Sequence, residues 1–391
     1  MRYSAFFIPT LVLAAACSDG GAPSPTAVDV PPSAVSAAPG HGQIKDAYIV
    51  VLKPGANPRG VAAAVGARPR FVYGSLINGF AATLNAAQLA ALQHNPTVSW
   101  IEPDQFGRAA GTQSSAPWGL DRIDERALPM NGTYVYTGTA SNVYVYILDT
   151  GIETSHPEFE GRAVNTAFDA IGGTGSGTDC HGHGTHVAGI VGGKTYGVAK
   201  KARLYGVRVM GCAPDPVPVA SAVIAGLEWV MANHIAPAVV NLSFSIPPSP
   251  ALDNAVDSLA HRRVFVAAAA GGYNLNACDY SPGRAVNAFT VAATNSRDER
   301  WGNSNWGTCV DMYAPGVAIT SAWKGGGTMM QDGTSFAAPH VAGVAALYKA
   351  AYGNVTTNTI AQWLRANATV DAVFNGARNG TPNYLLFKAT L

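Results

Sequence analysis

The chain has 391 residues, a formal net charge of +1 and only 13% charged side chains. That balance leaves no electrostatic basis for binding nucleic acid or an acidic partner. The length accommodates one large α/β domain with a smaller companion, and 43 glycines and 25 prolines suit a loop-rich extracellular protein.

Residues 1–17, MRYSAFFIPTLVLAAAC, place Arg2 ahead of an apolar stretch too short to span a membrane. Ala14, Ala15 and Ala16 precede Cys17 in the manner of a signal-peptidase site. The AAAC ending is similar to a bacterial lipobox, with Ala14 where that motif has Leu, so Cys17 is either a lipidation site or the neighbour of an ordinary cut. Residues 18–42, rich in Pro, Ala, Ser and Gly, read as a disordered tether. Residues 43–107 form the next unit. DAYIVVLKPGANP (46–58) reads as a strand and a turn, and VAAAVGA (61–67) as a short helix. FVYGSLINGFAATL (71–84) alternates and carries Gly79, NAAQLAALQHNPTV (85–98) has helical periodicity, and SWIEPDQF (99–106) closes as a strand. The β-α-β-β-α-β order predicts a small ferredoxin-like α+β module. GRAAGTQSSAPWGLDRID (107–124) then turns small and polar, and residues 108–391 make the large domain.

VYVYILDTGI (143–152) is a continuous apolar run, as expected of a parallel strand buried on both faces, and it ends in Asp149. Sites form at the carboxyl edge of such sheets, although DTG alone also fits a plain turn. DCHGHGTHVAGIVGG (179–193) sets His181, His183 and His186 within six residues before a small-residue helix. Zinc ligation is the rival reading of that cluster, opposed by the glycines and by the lack of Cys or Glu ligands at helical spacing. Apolar runs at 203–210, 237–244, 263–270, 286–294 and 310–314 alternate with helical stretches near 219–235, 250–262, 335–352 and 358–367. This alternation predicts a doubly wound, mostly parallel sheet. In DGTSFAAPHVAG (332–343), Ser335 stands at the mouth of a helix that is apolar on nearly all faces, with Pro339 near its start. Ser335 read alone is a helix cap; beside unpaired helix-terminal N–H groups it is also a nucleophile with an oxyanion donor at hand.

The order Asp149, His183, Ser335 is the subtilisin order of a serine triad. On these three blocks, over residues 112–391, the chain resembles the subtilases, and within them the proteinase K-like branch that includes aqualysin-type enzymes. The resemblance implies a serine endopeptidase in which His183 is the general base, Asp149 orients it and Ser335 is the nucleophile. His186 is then a packed neighbour and His181 a loop residue. Cys180, Cys212, Cys278 and Cys309 match the family's cysteines, which implies Cys180–Cys212 and Cys278–Cys309 bridges; four cysteines alone allow three pairings, and free thiols are the alternative. The module at 43–107 resembles an inhibitor-type propeptide, implying a folding aid whose tail occupies the cleft. TQSSAPWGLDRID resembles a mature amino terminus, implying self-cleavage near Ala110–Thr112. A lipid on Cys17 would then stay with the propeptide side, and maturation would free the protease from the membrane.

Three stretches depart from the family pattern. Related enzymes carry AAGN, whose Asn is the second oxyanion donor; here Gly272 follows Ala269, Ala270 and Gly271, which the resemblance makes substrate-binding residues, in VAAAAGGYN (266–274). Asn274, the Thr334 hydroxyl or a water molecule are the possible replacements. In NLSFSIPPSP (241–250), Ser243 lies on the substrate-binding stretch, and Ser245 and Ile246 replace a glycine pair, which would narrow the pocket toward smaller P1 residues. In GCAPDPVPV (211–219), prolines remove amides from the edge expected to pair with substrate. Asp311, with the carbonyls of Val286 and Ala288, matches a structural calcium site; a turn cap is the alternative for Asp311. Catalysis needs no cofactor under this resemblance. The expected protein is a secreted, self-processed monomer acting on polypeptides, with its own propeptide as inhibitor. The rivals are a subtilase scaffold with weak or no turnover, motivated by Gly272, and a metallohydrolase built on the three histidines.

Overall fold

The computed structural model describes residues 43–105, 110–172, 177–214 and 216–391. The leader, the tether and Cys17 lie outside the described residues. Among the described residues, no helix is long and apolar enough to cross a membrane. The chain divides into two units, Gly42–Phe106 and Gly107–Leu391.

The first unit runs β1 (Gln43–Leu52), α1 (Pro58–Ala64), β2 (Pro69–Tyr73), β3 (Gly79–Thr83), α2 (Ala86–Gln93) and β4 (Val98–Gln105). Its antiparallel sheet has the order β2-β3-β1-β4, the ferredoxin-like arrangement expected from the element pattern. Each helix is started by an asparagine. Asn57 accepts from the N–H groups of Arg59 and Gly60, with Pro58 next to it, and Asn85 and Gln88 cap each other's backbone reciprocally. Val50, Leu52, Phe80 and Ala82 form the apolar face that buries Ala62 and Leu92 of the helices. Gly79 is required by contact: a Cβ there would stand 2.2 Å from the carbonyl oxygen of Val50.

The second unit opens with β5 (Gly111–Ser114), α3 (Trp118–Asp124) and β6 (Thr133–Tyr136), the two strands pairing antiparallel. The main elements follow as β7 (Tyr144–Asp149), β8 (Ala163–Asp169), α4 (His183–Gly192), β9 (Arg203–Arg208), α5 (Ala220–Asn233), β10 (Ala238–Leu242), α6 (Pro250–His261), β11 (Phe265–Ala269), β12 (Ala288–Thr294) and β13 (Met312–Pro315). A hairpin, β14 (Ile319–Trp323) and β15 (Gly327–Gln331), precedes α7 (Thr334–Tyr352), α8 (Thr357–Asn367), β16 (Thr369–Val370) and β17 (Tyr384–Leu385). Nine strands form one sheet in the order β16-β17-β13-β12-β11-β10-β7-β9-β8, parallel throughout except at the β16–β17 edge. In β7, Val145 and Ile147 join the core shared with α4 and α7, whereas Tyr146 and Leu148 join the core shared with α5 and α6. Burial on both faces is why the strand runs are apolar without alternation.

Two covalent ties brace this unit, Cys180–Cys212 and Cys278–Cys309. A third tie is a set of charge-assisted hydrogen bonds. The buried Lys200 ammonium donates to Gln113 Oε1 and to the carbonyls of Lys194 and Gly197 at 3.3 and 3.2 Å, fixing β5 to the segment after α4. Burial pulls its pKa down to about 8, against the opposing charge of Glu158. Replacing both Cys278 and Cys309 by Ser should lower the unfolding free energy by about 3–4 kcal/mol, the loop-closure value for a bridge of this span. Urea unfolding of the two proteins checks this, and a loss under ~1 kcal/mol would show that the tie is redundant.

Candidate active site

The site lies at the carboxyl edge of the sheet, where β7, β10 and β11 end and α4 and α7 begin. Asp149 closes β7 and is fully buried. Its Oδ1 accepts from Thr150 N–H at 2.8 Å and from His183 Nδ1 at 2.7 Å. Because a carboxylate can only accept, Nδ1 carries a proton and Nε2 keeps its lone pair for the cleft. Burial of the imidazole acts to lower its pKa, but the Asp149 charge and hydrogen bond outweigh it, and the net shift is upward.

His183 begins α4, and the loop that delivers it is organised by Asp179. One oxygen of Asp179 accepts from Thr150 Oγ1 and from the N–H groups of His181 and Gly182; the other accepts from the N–H and hydroxyl of Thr185. Glycine is needed at 184, where a Cβ would stand 2.1 Å from the carbonyl oxygen of Gly151. The Cys180–Cys212 bridge pins the same loop. The three histidines do not converge. His181 Nε2 lies 3.1 Å from Pro214 O, and His186 Nε2 donates to the carbonyls of Ile319 and Met329 at 3.1 and 2.9 Å. With His181 and His186 directed at separate backbone carbonyls and His183 at the Asp149 carboxylate, the cluster does not fit a shared zinc ion.

Ser335 is the second residue of α7. Its Oγ donates to Ser243 O at 2.9 Å, so in this rotamer the proton points to β10's end rather than to His183. Ser243 Oγ donates in return to Ser335 O at 2.6 Å and accepts from Asn241 Nδ2 at 2.8 Å. Pro339 explains why that carbonyl is available: it has no N–H to bond the carbonyl four residues back, which is that of Ser335. Phe336, the next residue, packs its ring on both His183 and His186.

His183 and Ser335 line one cleft of about 350 Å³ together with Ser243, Ser245, Ala269, Gly271, Gly272 and Thr334. Pro216, Val217 and Pro218 form its rim, with Val217 exposed. Four expectations need correction. Ala270 does not line the cleft, because its N–H is bonded to Val291 O and its carbonyl accepts from Asn305 Nδ2. Asn274 also stands apart: its Oδ1 accepts from Arg300 and Arg378, which hold the side chain away from the position a substitute oxyanion donor would need. Ile246 pairs its backbone with Ser281 and buries its side chain, leaving only Ser245 in the cleft. Asp311 does not fit a calcium ion, since one oxygen accepts from Thr290 N–H and the other from the guanidinium of Arg365, which puts a positive charge where the cation would be. Thr334 does line the cleft, and its Oγ1 accepts from Gly271 N–H at 3.1 Å.

Sequence reasoning missed Asp179, Asn241, Asn305 and Trp301. Asn305 orders the loop after β11 by accepting from Tyr273 and Leu275 N–H groups at 3.0 Å each. Asn241 carried a signal, a lone amide inside the apolar run AVVNL. Trp301 carried none.

Against known proteins, residues 140–385 match the subtilase family and residues 47–110 match the peptidase inhibitor I9 family. An extracellular serine proteinase of Thermus sp. (strain Rt41A) is 46% identical over 352 residues, which is 88% of this chain and 85% of that protein. Proteinase R of Parengyodontium album is 38% identical over 381 residues, 94% of this chain and 96% of its own. The crystal structure of a cold adapted subtilisin-like serine proteinase is similar at a TM-score of 0.69 and 43% identity, covering 71% of this chain and 100% of that one.

The site also carries a pH signature. Burial lowers the pKa of His186 to about 4, outweighing its bonds to Met329 and Ile319, and burial does the same to His340 beside Phe336 O. An unfolded imidazole titrates near ~6.5. Between these values the unfolded chain binds more protons, so stability present above pH ~6.5 is lost as pH falls toward 4. Each histidine contributes on the order of 3 kcal/mol to that loss. Urea midpoints of a Ser335→Ala protein should fall clearly from pH 7 to pH 4.5; equal midpoints would contradict the neutral burial of both rings.

Proposed function

This chain belongs to the subtilase family and is a serine endopeptidase, and from that premise we propose that Asp149, His183 and Ser335 carry out its peptide hydrolysis. The observation that carries the assignment is the 2.7 Å bond from His183 Nδ1 to buried Asp149, with the free Nε2 and Ser335 on one cleft. The reaction requires the Ser335 hydroxyl to leave Ser243 O and turn to His183. His183 Nε2 then removes the hydroxyl proton while Oγ attacks the scissile carbonyl carbon. The tetrahedral oxyanion is met by the Ser335 N–H at the start of α7. Collapse breaks the C–N bond, the imidazolium returns its proton to the leaving amine, and water releases the acyl group by the same route. Asp149 stays ionised throughout; it fixes the tautomer and steadies the imidazolium.

Gly272 limits the rate. Without a side-chain donor at that position, transition-state stabilisation falls short by about 10²–10³ in kcat if nothing replaces it. Thr334 brings a hydroxyl to the same cleft, its oxygen accepting from Gly271 N–H and its proton left to donate. The same glycine favours the second reading, a subtilase scaffold with little or no turnover. We place the substrate in the cleft as an extended chain, between Ser243 and Ser245 on one side and the Pro216–Pro218 rim on the other. We propose no role for calcium at Asp311.

The first unit acts as the intramolecular inhibitor, and we propose that the chain is exported and cut between Ala110 and Thr112. Gly111 and Thr112 are already paired with Tyr136 and Val135 in β5–β6, which favours the Ala110 end of that window. The Thermus relative is extracellular by description, and export of this chain is inferred from that likeness and from residues 1–17.

Expression of wild type and Ser335→Ala, followed by intact mass and N-terminal sequencing, tests both assignments. Wild type should lose its first unit and start at or near Gly111, and the Ala variant should stay whole. Equal cutting of both proteins would remove self-processing. In the processed enzyme, the acid limb of kcat/KM should lie above ~6.5, because His183 must be neutral to act as base and its pKa is raised. Asp149→Asn should lower kcat by about 10⁴. A limb below pH 6, or a small Asp149 effect, would contradict the base assignment.

A further inference from the structure

Two glycines follow one another after β11, for different reasons. Gly271 has φ +102 and a Cβ there would stand 2.5 Å from Asn305 Nδ2, so both backbone and contact demand glycine. Gly272 has no such conformation. A Cβ on it would meet only Trp301, at 3.3 Å from Cη2 and from Cζ3. Carbon atoms rest at about 3.5–4.0 Å, so the indole already occupies the contact shell of the first side-chain atom, and any residue larger than glycine at 272 requires the ring to give way. The ring cannot retreat with its backbone, because Trp301 N–H donates to Ala293 O at 2.8 Å and its carbonyl accepts from Ser304 N–H at 2.9 Å. Trp301 is half-buried against the core under α7 and lines the cleft beside Gly272, Thr334 and Ser335.

We propose that Trp301 is a specificity-determining residue of this protease, its indole filling the side-chain space of position 272 so that the two positions act as one unit. The ring sets an apolar aromatic surface next to the oxyanion position, where a polar amide would otherwise stand. Apolar substrate residues flanking the scissile bond are favoured by packing on that surface, and charged ones are excluded by desolvation. A second oxyanion donor can be installed at 272 only when the ring is cut back. This inference rests on the triad assignment.

The test compares five processed enzymes: wild type, Gly272→Asn, Trp301→Ala, Trp301→Phe and the Gly272→Asn/Trp301→Ala double variant. On thermal unfolding, Gly272→Asn alone should lower Tm by roughly 3–6 °C through overpacking, while the same change in the Trp301→Ala background should cost under about 1 °C. On a peptide panel varied on both sides of the scissile bond, Trp301→Ala should cut the apolar-over-charged ratio of kcat/KM at least tenfold, and Trp301→Phe should retain most of it. Adding Asn should raise kcat less than about threefold beside the tryptophan and about 10²-fold without it. Equal Tm losses in both backgrounds, or panel ratios within twofold of wild type for Trp301→Ala, would overturn the proposal. Absence of both hydrolysis and fluorophosphonate labelling at Ser335 in wild type would instead overturn the triad assignment and with it the specificity role, while the Tm cycle still decides whether positions 272 and 301 share one space.

Discussion

The hydrogen bond between the buried carboxylate of Asp149 and Nδ1 of His183 is the contact on which the arrangement of the active site depends. An ionised carboxylate inside a protein must be hydrogen-bonded or it will not stay ionised. Asp149 gains that through Thr150 N–H and His183, which requires the end of β7 to lie against the start of α4. The groups nearby serve that approach: Asp179 collects four donors from His181, Gly182 and Thr185 and a fifth from Thr150 beside Asp149, Gly184 clears the carbonyl of Gly151, and Cys180–Cys212 ties the same loop. The upward shift of the His183 pKa follows directly from the pair.

Ser335 is placed by a separate device. Pro339 withholds one helical N–H, and the freed carbonyl of Ser335 is taken by Ser243 Oγ, itself set by Asn241. The nucleophile's backbone is thereby tied to β10, on the sheet that also carries Asp149 on β7. Two ends of neighbouring parallel strands and two helix starts are thus locked into one cleft. Such pre-positioning is what lets a serine hydroxyl, weak on its own, act as a nucleophile.

Much of this was legible in the chain. Asp149, His183 and Ser335 each sit where an apolar run meets a glycine, so the motif blocks and the element ends coincide. Strand runs were readable because burial on both faces suppresses alternation, and the four cysteines paired as the family resemblance implied. Positions that depend on distant partners were not readable. Asn274 faces Arg300 and Arg378, Ile246 pairs with Ser281, and Asp311 meets Arg365, contacts that no local pattern announces. Gly272 was visible as an absence, but the ring that fills its space comes from 29 positions further along the chain (301 − 272). The local signal showed a donor missing; only packing showed what stands there.

Covalent labelling of the processed wild-type protein with a fluorophosphonate, mapped by peptide mass, addresses the central assignment most directly. A single phosphonyl group on Ser335, formed faster as pH rises through the raised His183 pKa and lost in a folded His183→Ala variant, is the predicted result. Labelling on another serine, or equal labelling without His183, would contradict the account.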